Sequence, residues 1–102
     1  MNKFHNVRTE IDGHIFPSKH EAARYCELVV LEKAGEISNL LLHPSYDISH
    51  NGKDICRYVA DFEYFTRDGK RVVEDAKGVR TPVYKLKKKM MSVICGIDIV
   101  EV

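Results

Sequence analysis

Three dipeptides, Asp12-Gly13, Asn51-Gly52 and Asp68-Gly69, each separate short runs in which apolar and polar residues alternate. Gly, Asn and Asp accept the positive φ that a tight hairpin demands, so each dipeptide predicts a reversal between antiparallel strands. The first joins Thr9-Glu10-Ile11 to His14-Ile15-Phe16 in a short leading hairpin. The other two divide a strand near residues 45–50, a second running through Tyr58 to Phe65, and a third from Lys70 to Lys77. Together these read as a three-stranded antiparallel meander.

Helical signals flank the strands. Ser18 with Glu21 three residues on forms a capping box, and Gly35 supplies a stop after a helical pattern reaching about Ala34. Ala22, Cys26, Val29 and Val30 share one face at helical spacing, with Glu21 beside Tyr25 and Leu28 at its margin. Thr81-Pro82 is an N-cap followed by proline at the first helical position, and Gly96 ends that helix. Its apolar stripe is Val83, Leu86, Met90, Val93 and Ile94. Alternating residues from Ile97 to Val102 close the chain with a last strand. The order is helix, three strands, helix, strand after the hairpin, an α/β plan with helices covering a mixed sheet.

The chain is 102 residues long, 44% hydrophobic and 30% charged, which fits one domain over residues 1–102 with a real core. A net charge of +1 weighs slightly against a binder that lives on bulk positive charge, so any attraction for phosphates is expected to be local. Cys26, Cys56 and Cys95 have no zinc-ligand spacing and read as buried free thiols. The five histidines are scattered, without a local metal-binding pair. The stretch Met1–Glu10 lacks the apolar core of a signal peptide, and no run reaches the ~18 apolar residues of a membrane span. The expectation is a cytoplasmic protein with no membrane partner.

Charge is arranged tellingly on the second and third strands. Side chains alternate along a strand, so Asp75 and Lys77 share one face while Glu74 and Ala76 share the other. Whether Asp61 joins them depends on the turn. A three-residue loop of Arg67, Asp68 and Gly69 pairs Thr66 with Lys70 and sets Asp61 opposite Asp75; a two-residue loop turns the carboxylates apart. Facing carboxylates repel, and a hard cation such as Mg²⁺ reverses the sign of that interaction. Lys77 would then orient or deprotonate an attacking water, or neutralise phosphate charge. A solvated sheet face with a weak surface ion pair is the competing reading. The apolar runs Tyr58-Val59-Ala60 and Val72-Val73 ahead of these charges weigh against it, because charges ending buried strands need a reason.

Val-Ala-Asp-Phe around Asp61 and Val-Val-Glu-Asp-Ala-Lys-Gly around Asp75 and Lys77, in this order of elements, resemble the PD-(D/E)XK nuclease superfamily. Ser18-Lys19-His20-Glu21-Ala22 on the first helix and Lys85-Leu86-Lys87 on the second sharpen the likeness. The chain looks like a small phage-associated family of endonuclease-like proteins, catalogued as a domain of unknown function and similar to Holliday-junction-resolvase-like nucleases. The resemblance spans about Glu10 to Val102. It implies a restriction-endonuclease-like core, Asp61 and Asp75 as metal ligands, the Ala76 carbonyl as a further ligand and Lys77 as the catalytic lysine. Glu21 matches a helix-borne acid of many members, though it is equally the second half of the capping box. Ala60 stands where the motif has proline, and Glu74 becomes the ligand if the register slips.

The implied activity is a Mg²⁺- or Mn²⁺-dependent DNA endonuclease of phage or prophage DNA processing, acting in a bacterial host cell, with a homodimer needed for paired cuts. Lys85, Lys88 and Lys89 fall opposite the apolar stripe of the second helix. With Arg80 and Thr81 they are candidate phosphate contacts, against the alternative of a solvated face. Tyr84 shares that side as a candidate for stacking on a base. Two other functions compete: a nucleic-acid-binding accessory protein with the same fold and no catalysis, and an interaction protein whose charged faces serve a protein partner.

Overall fold

The computed structural model describes residues 8–76 and 80–102. It is a mixed α/β fold. Strands β1 (Thr9–Ile11) and β2 (His14–Phe16) form the leading hairpin, followed by helix α1 (Lys19–Lys33). Strands β3 (Ile37–Leu42), β4 (Ser45–His50), β5 (Lys53–Val59), β6 (Phe62–Thr66) and β7 (Arg71–Asp75) come next. Helix α2 (Pro82–Cys95) and strand β8 (Ile99–Glu101) complete it. The turns behave as their residues require: Asp12 and Gly13 have φ of 53° and 80°, and Asn51 and Gly52 have 52° and 75°.

The central sheet has the order β3-β6-β7-β8, antiparallel except for the β7–β8 pair. The meander is therefore present with a different first strand. Residues 37–42 supply it, whereas residues 45–50 pair with β5 in a separate two-stranded ribbon inserted between β3 and β6. The predicted strand Tyr58–Phe65 is likewise two elements. The chain bends at Ala60 and Asp61, so Tyr58 and Val59 belong to the ribbon and Phe62 onward to the sheet. Alternation alone cannot reveal such a bend, because both halves keep the strand period.

The two faces of the sheet carry different cores. Phe62, Tyr64 and Val72 face α1 and pack with Phe16, Ala22, Tyr25 and Leu28. Val73 and Ile99 face the other way and pack with Tyr84 and Met91 of α2 and with Ile48 and Tyr58 of the ribbon. Ser18 and Thr81 cap the helices as expected, and Gly96 ends α2 in the left-handed region.

Both buried helix faces are rotated from the expected ones. On α1 the buried residues are Glu21, Ala22, Tyr25 and Leu28, while Cys26 and Val30 are exposed. On α2 they are Tyr84 and Met91; of the expected stripe Met90 and Ile94 pack at the edge of that core, while Val83, Leu86 and Val93 face outward. Tyr84 thus lies inside and is not a surface stacking platform. Its ring fills the core while its hydroxyl donates to Glu101 Oε2 at 2.7 Å, so an aromatic with a polar tip outcompetes the aliphatic residues for the inner face. The cysteines also depart from expectation: Cys26 is exposed, and Cys56 and Cys95 are half-buried.

One ion pair crosses from α1 to the sheet. Glu74 is buried beneath α1, and Arg24 grips it with two hydrogen bonds of 2.8 and 2.7 Å. The Tyr64 hydroxyl also donates to Glu74, and burial followed by that carboxylate pushes the Tyr64 phenol up to about 12. Removing one partner of a buried pair strands the other charge. Arg24→Ala is expected to cost about 3 kcal/mol in urea unfolding, whereas Arg57→Ala, in an exposed pair with Asp47, stays within ~0.5 kcal/mol.

Candidate metal centre

The turn between β6 and β7 sets the site. Thr66 N–H bonds Lys70 O at 2.9 Å, and Gly69 takes φ of 85°, so the loop is the three-residue form of Arg67, Asp68 and Gly69. Phe62 pairs with Glu74, and the same register carried one step further sets Asp61 across from Asp75. At that step Asp61 sits in the bend, and its N–H bonds both Glu74 O and Asp75 Oδ1 at 3.1 Å. In return the Ala76 N–H bonds Asp61 Oδ2 at 2.7 Å. Each aspartate therefore helps fix the other's strand end.

Asp75 is wholly buried. Its backbone carbonyl accepts from Val102 N–H at 2.9 Å, and Val102 O meets His20 Nε2 at 2.7 Å. The negative charge of Asp75 reaches Tyr84 and Tyr46, whose phenols are raised chiefly by burial and by their bonds to Glu101 and Glu63.

Glu21 projects from the first turn of α1 towards the same corner. Ser18 Oγ accepts its backbone N–H at 3.1 Å, so the backbone half of the cap is made. The Glu21 side chain instead meets His43 Nε2 at 2.9 Å. Glu21, His43 and Asp61 each offer one ligand atom, all within 4.8 Å of one another. Two ligands on one octahedral cation sit roughly 3–4 Å apart, so this donor set could hold a metal ion after small side-chain movements. Asp75 stands behind the trio through its bond to the Asp61 backbone.

The electrostatics agree. Burial, and then the adjacent Asp61 carboxylate, push the Glu21 carboxyl from 4.5 up to about 7, with His43 pulling the other way. A cation between the carboxylates would remove that repulsion.

His43 is the residue that sequence reasoning missed. Its partners lie on separate elements, 22 residues away in the case of Glu21, so no local spacing marks it. Its one local signal is its place between the end of β3 and Pro44. There it adopts φ of 51°, and its N–H bonds Asp61 O at 2.9 Å while Ala60 N–H bonds Pro44 O at 3.0 Å. These two bonds stitch the entry of the ribbon to its exit and set His43 beside Asp61.

Lys77 lies outside the described residues. Of the candidate phosphate contacts, Lys85 and Lys89 are exposed on α2. Arg80 and Lys88 are engaged with Glu101 at 2.8 and 3.3 Å, and together with the Tyr84 hydroxyl they draw its carboxyl down to about 2, the Tyr84 bond first. Thr81 spends its hydroxyl on capping α2, accepting Tyr84 N–H at 3.1 Å. Among the described residues no helix is long and apolar enough to cross a membrane.

The fold and its corner of acids and imidazole define a small α/β domain with a candidate metal centre. Residues 1–94 match the family described as protein of unknown function (DUF1064), and the chain belongs to that family. No curated protein and no solved structure gives a significant match.

A carboxyl whose pKa is higher folded than unfolded penalises the fold above its folded pKa, and the penalty fades as pH falls towards its unfolded value. In chelator, Glu21→Gln is therefore expected to melt above the wild type at about pH 8, with the gap closing by about pH 5. Thermal melts across that range check both sign and window.

Proposed function

We propose that the chain is a divalent-metal-dependent DNA endonuclease of the PD-(D/E)XK type. The observation that carries the reading is the convergence of Glu21, His43 and Asp61 within 4.8 Å, at a strand end where Asp75 and the Ala76 N–H hold Asp61. The order α1, β3-β6-β7 meander, α2, β8, with the ribbon as an insertion, supports a restriction-endonuclease-like core.

In this reading Glu21, Asp61 and Asp75 are the acidic residues of the centre, with the Ala76 carbonyl as a further donor. A bound Mg²⁺ or Mn²⁺ supplies Lewis acidity at the scissile phosphate. The Ala76 N–H keeps the Asp61 carboxylate from rotating, and the Asp75 carboxylate does the same for the Asp61 backbone. Lys77, two positions beyond Asp75, orients the water and offsets charge growing on the phosphate. The water oxygen bonds to phosphorus and gives one proton to solvent, while the bond to the leaving sugar oxygen breaks with its electron pair and that oxygen takes up a proton from solvent. Lys85 and Lys89, exposed on α2, follow the phosphate backbone, which makes affinity salt-dependent without reading sequence. A homodimer would place two such centres for paired cuts in phage or prophage DNA processing.

The test is a panel of labelled duplex, flap and four-way-junction DNA with Mg²⁺ and with Mn²⁺. Metal-dependent cleavage is expected on at least one substrate. Asp61→Asn, Asp75→Asn and Lys77→Ala should each lower it by about a hundredfold or more while circular dichroism stays unchanged. Full activity in those variants would refute the site assignment. DNA binding by the wild type with no cleavage under any metal would leave an accessory binding protein.

A further inference from the structure

We propose that His43 is a direct ligand of the metal centre and gives it a preference for Mn²⁺ and similar transition-metal ions over Mg²⁺. The inference rests on the metal-centre reading above and adds the chemistry of one nitrogen donor.

Two features make His43 more than a neighbour. Its imidazole lies against the buried Phe16 ring, with centroids 6.3 Å apart, and its Nε2 sits 2.9 Å from Glu21 Oε2. Its backbone takes a positive φ of 51°, which histidine accepts more readily than most residues, and its N–H is bonded to Asp61 O at 2.9 Å. Ring and backbone are thus fixed from two sides, which aims a nitrogen at the two carboxylates before any cation arrives. The side chain is 42% exposed while the Glu21 side chain is 4% exposed, so the imidazole forms the open wall of the trio.

Nitrogen matters to the choice of ion. Mg²⁺ favours hard oxygen ligands, sheds water reluctantly and gains little from an imidazole. First-row transition ions take imidazole readily, with affinity rising from Mn²⁺ along the series. An imidazole added to the oxygen donors of the centre therefore makes it discriminate in a way that an all-oxygen centre does not. A histidine serving only as an ion-pair partner for Glu21 would not discriminate between cations of equal charge.

The experiment uses the intact chain without DNA, and Mn²⁺ and Mg²⁺ themselves as probes. Asparagine accepts the left-handed backbone and offers an oxygen in place of the nitrogen, so His43→Asn preserves the corner where alanine would strain it. Calorimetric titration should give wild-type affinity about tenfold or more in favour of Mn²⁺. His43→Asn should lose about tenfold for Mn²⁺ and change less than about threefold for Mg²⁺. Pulsed electron paramagnetic resonance of the wild-type Mn²⁺ complex should show coupling to a directly bound ¹⁴N, absent in His43→Asn. Equal wild-type affinities, a preference that survives His43→Asn, or no nitrogen coupling would overturn the proposal while leaving the metal centre standing. Glu21→Gln and Asp61→Asn should weaken both ions alike. Failure of the wild type to bind either ion would sink the metal centre and this inference together. DNA cleavage enters none of these readouts, so a protein that selects Mn²⁺ yet cuts nothing would separate the two readings.

Discussion

The mutual grip of Asp61 and Asp75 is the constraint on which the site depends. Asp61 gives its N–H to the Asp75 carboxylate and takes the Ala76 N–H on its own. The two strand ends are locked by bonds that use charged side chains as if they were backbone, and charge-assisted bonds of this kind are stronger than neutral ones. The bend they hold lets β5 leave for the ribbon while β6 enters the sheet. Without that bend Asp61 would continue the plain alternation of β6 and face the α2 side with Glu63, away from α1. With it, Asp61 comes within reach of Glu21 on α1 and His43 on the β3 corner.

Adjacent residues Glu74 and Asp75 show how one strand serves two tasks. Glu74 points to α1, where Arg24 and Tyr64 satisfy it, and anchors the helix that carries Glu21. Asp75, next along the strand, is on the opposite face, where its carboxylate accepts the Asp61 N–H and its charge is felt by Tyr84. Three residues apart on α1, Arg24 is neutralised by a buried partner while Glu21 is left beside a like charge. The anchor sets one carboxylate against one guanidinium, whereas the site gathers the Glu21 and Asp61 carboxylates around the single imidazole of His43, an excess of like charge of the kind found where charge is kept for use.

Turns, caps and the places of the two helices were readable from single residues because each rests on local backbone chemistry. Asp12-Gly13, Asn51-Gly52, the Arg67-Asp68-Gly69 loop, Ser18, Thr81-Pro82 and Gly96 all act within a few positions of themselves. The register that sets Asp61 across from Asp75 followed from one such loop. What stayed hidden is nonlocal. Residues 45–50 have a strand pattern, but whether they join the sheet or a ribbon depends on the bend at Ala60 and Asp61. Helix phase depended on Tyr84 finding Glu101 and on Tyr25 finding Asp12, partners far along the chain or outside the helix. His43 needed three segments to meet before it meant anything.

The ribbon has a further consequence for how this fold can change over time. Its two ends are tied together where Ala60 bonds Pro44 and Ser45 pairs with Val59, so everything beyond that clasp is a closed excursion. Extending or trimming the hairpin at Asn51-Gly52 in paired steps moves the tip but leaves the clasp, and with it the corner of acids, where it was. Reach and chemistry are thereby separable: the arm can be refitted for a different surface while the centre at its root keeps its geometry.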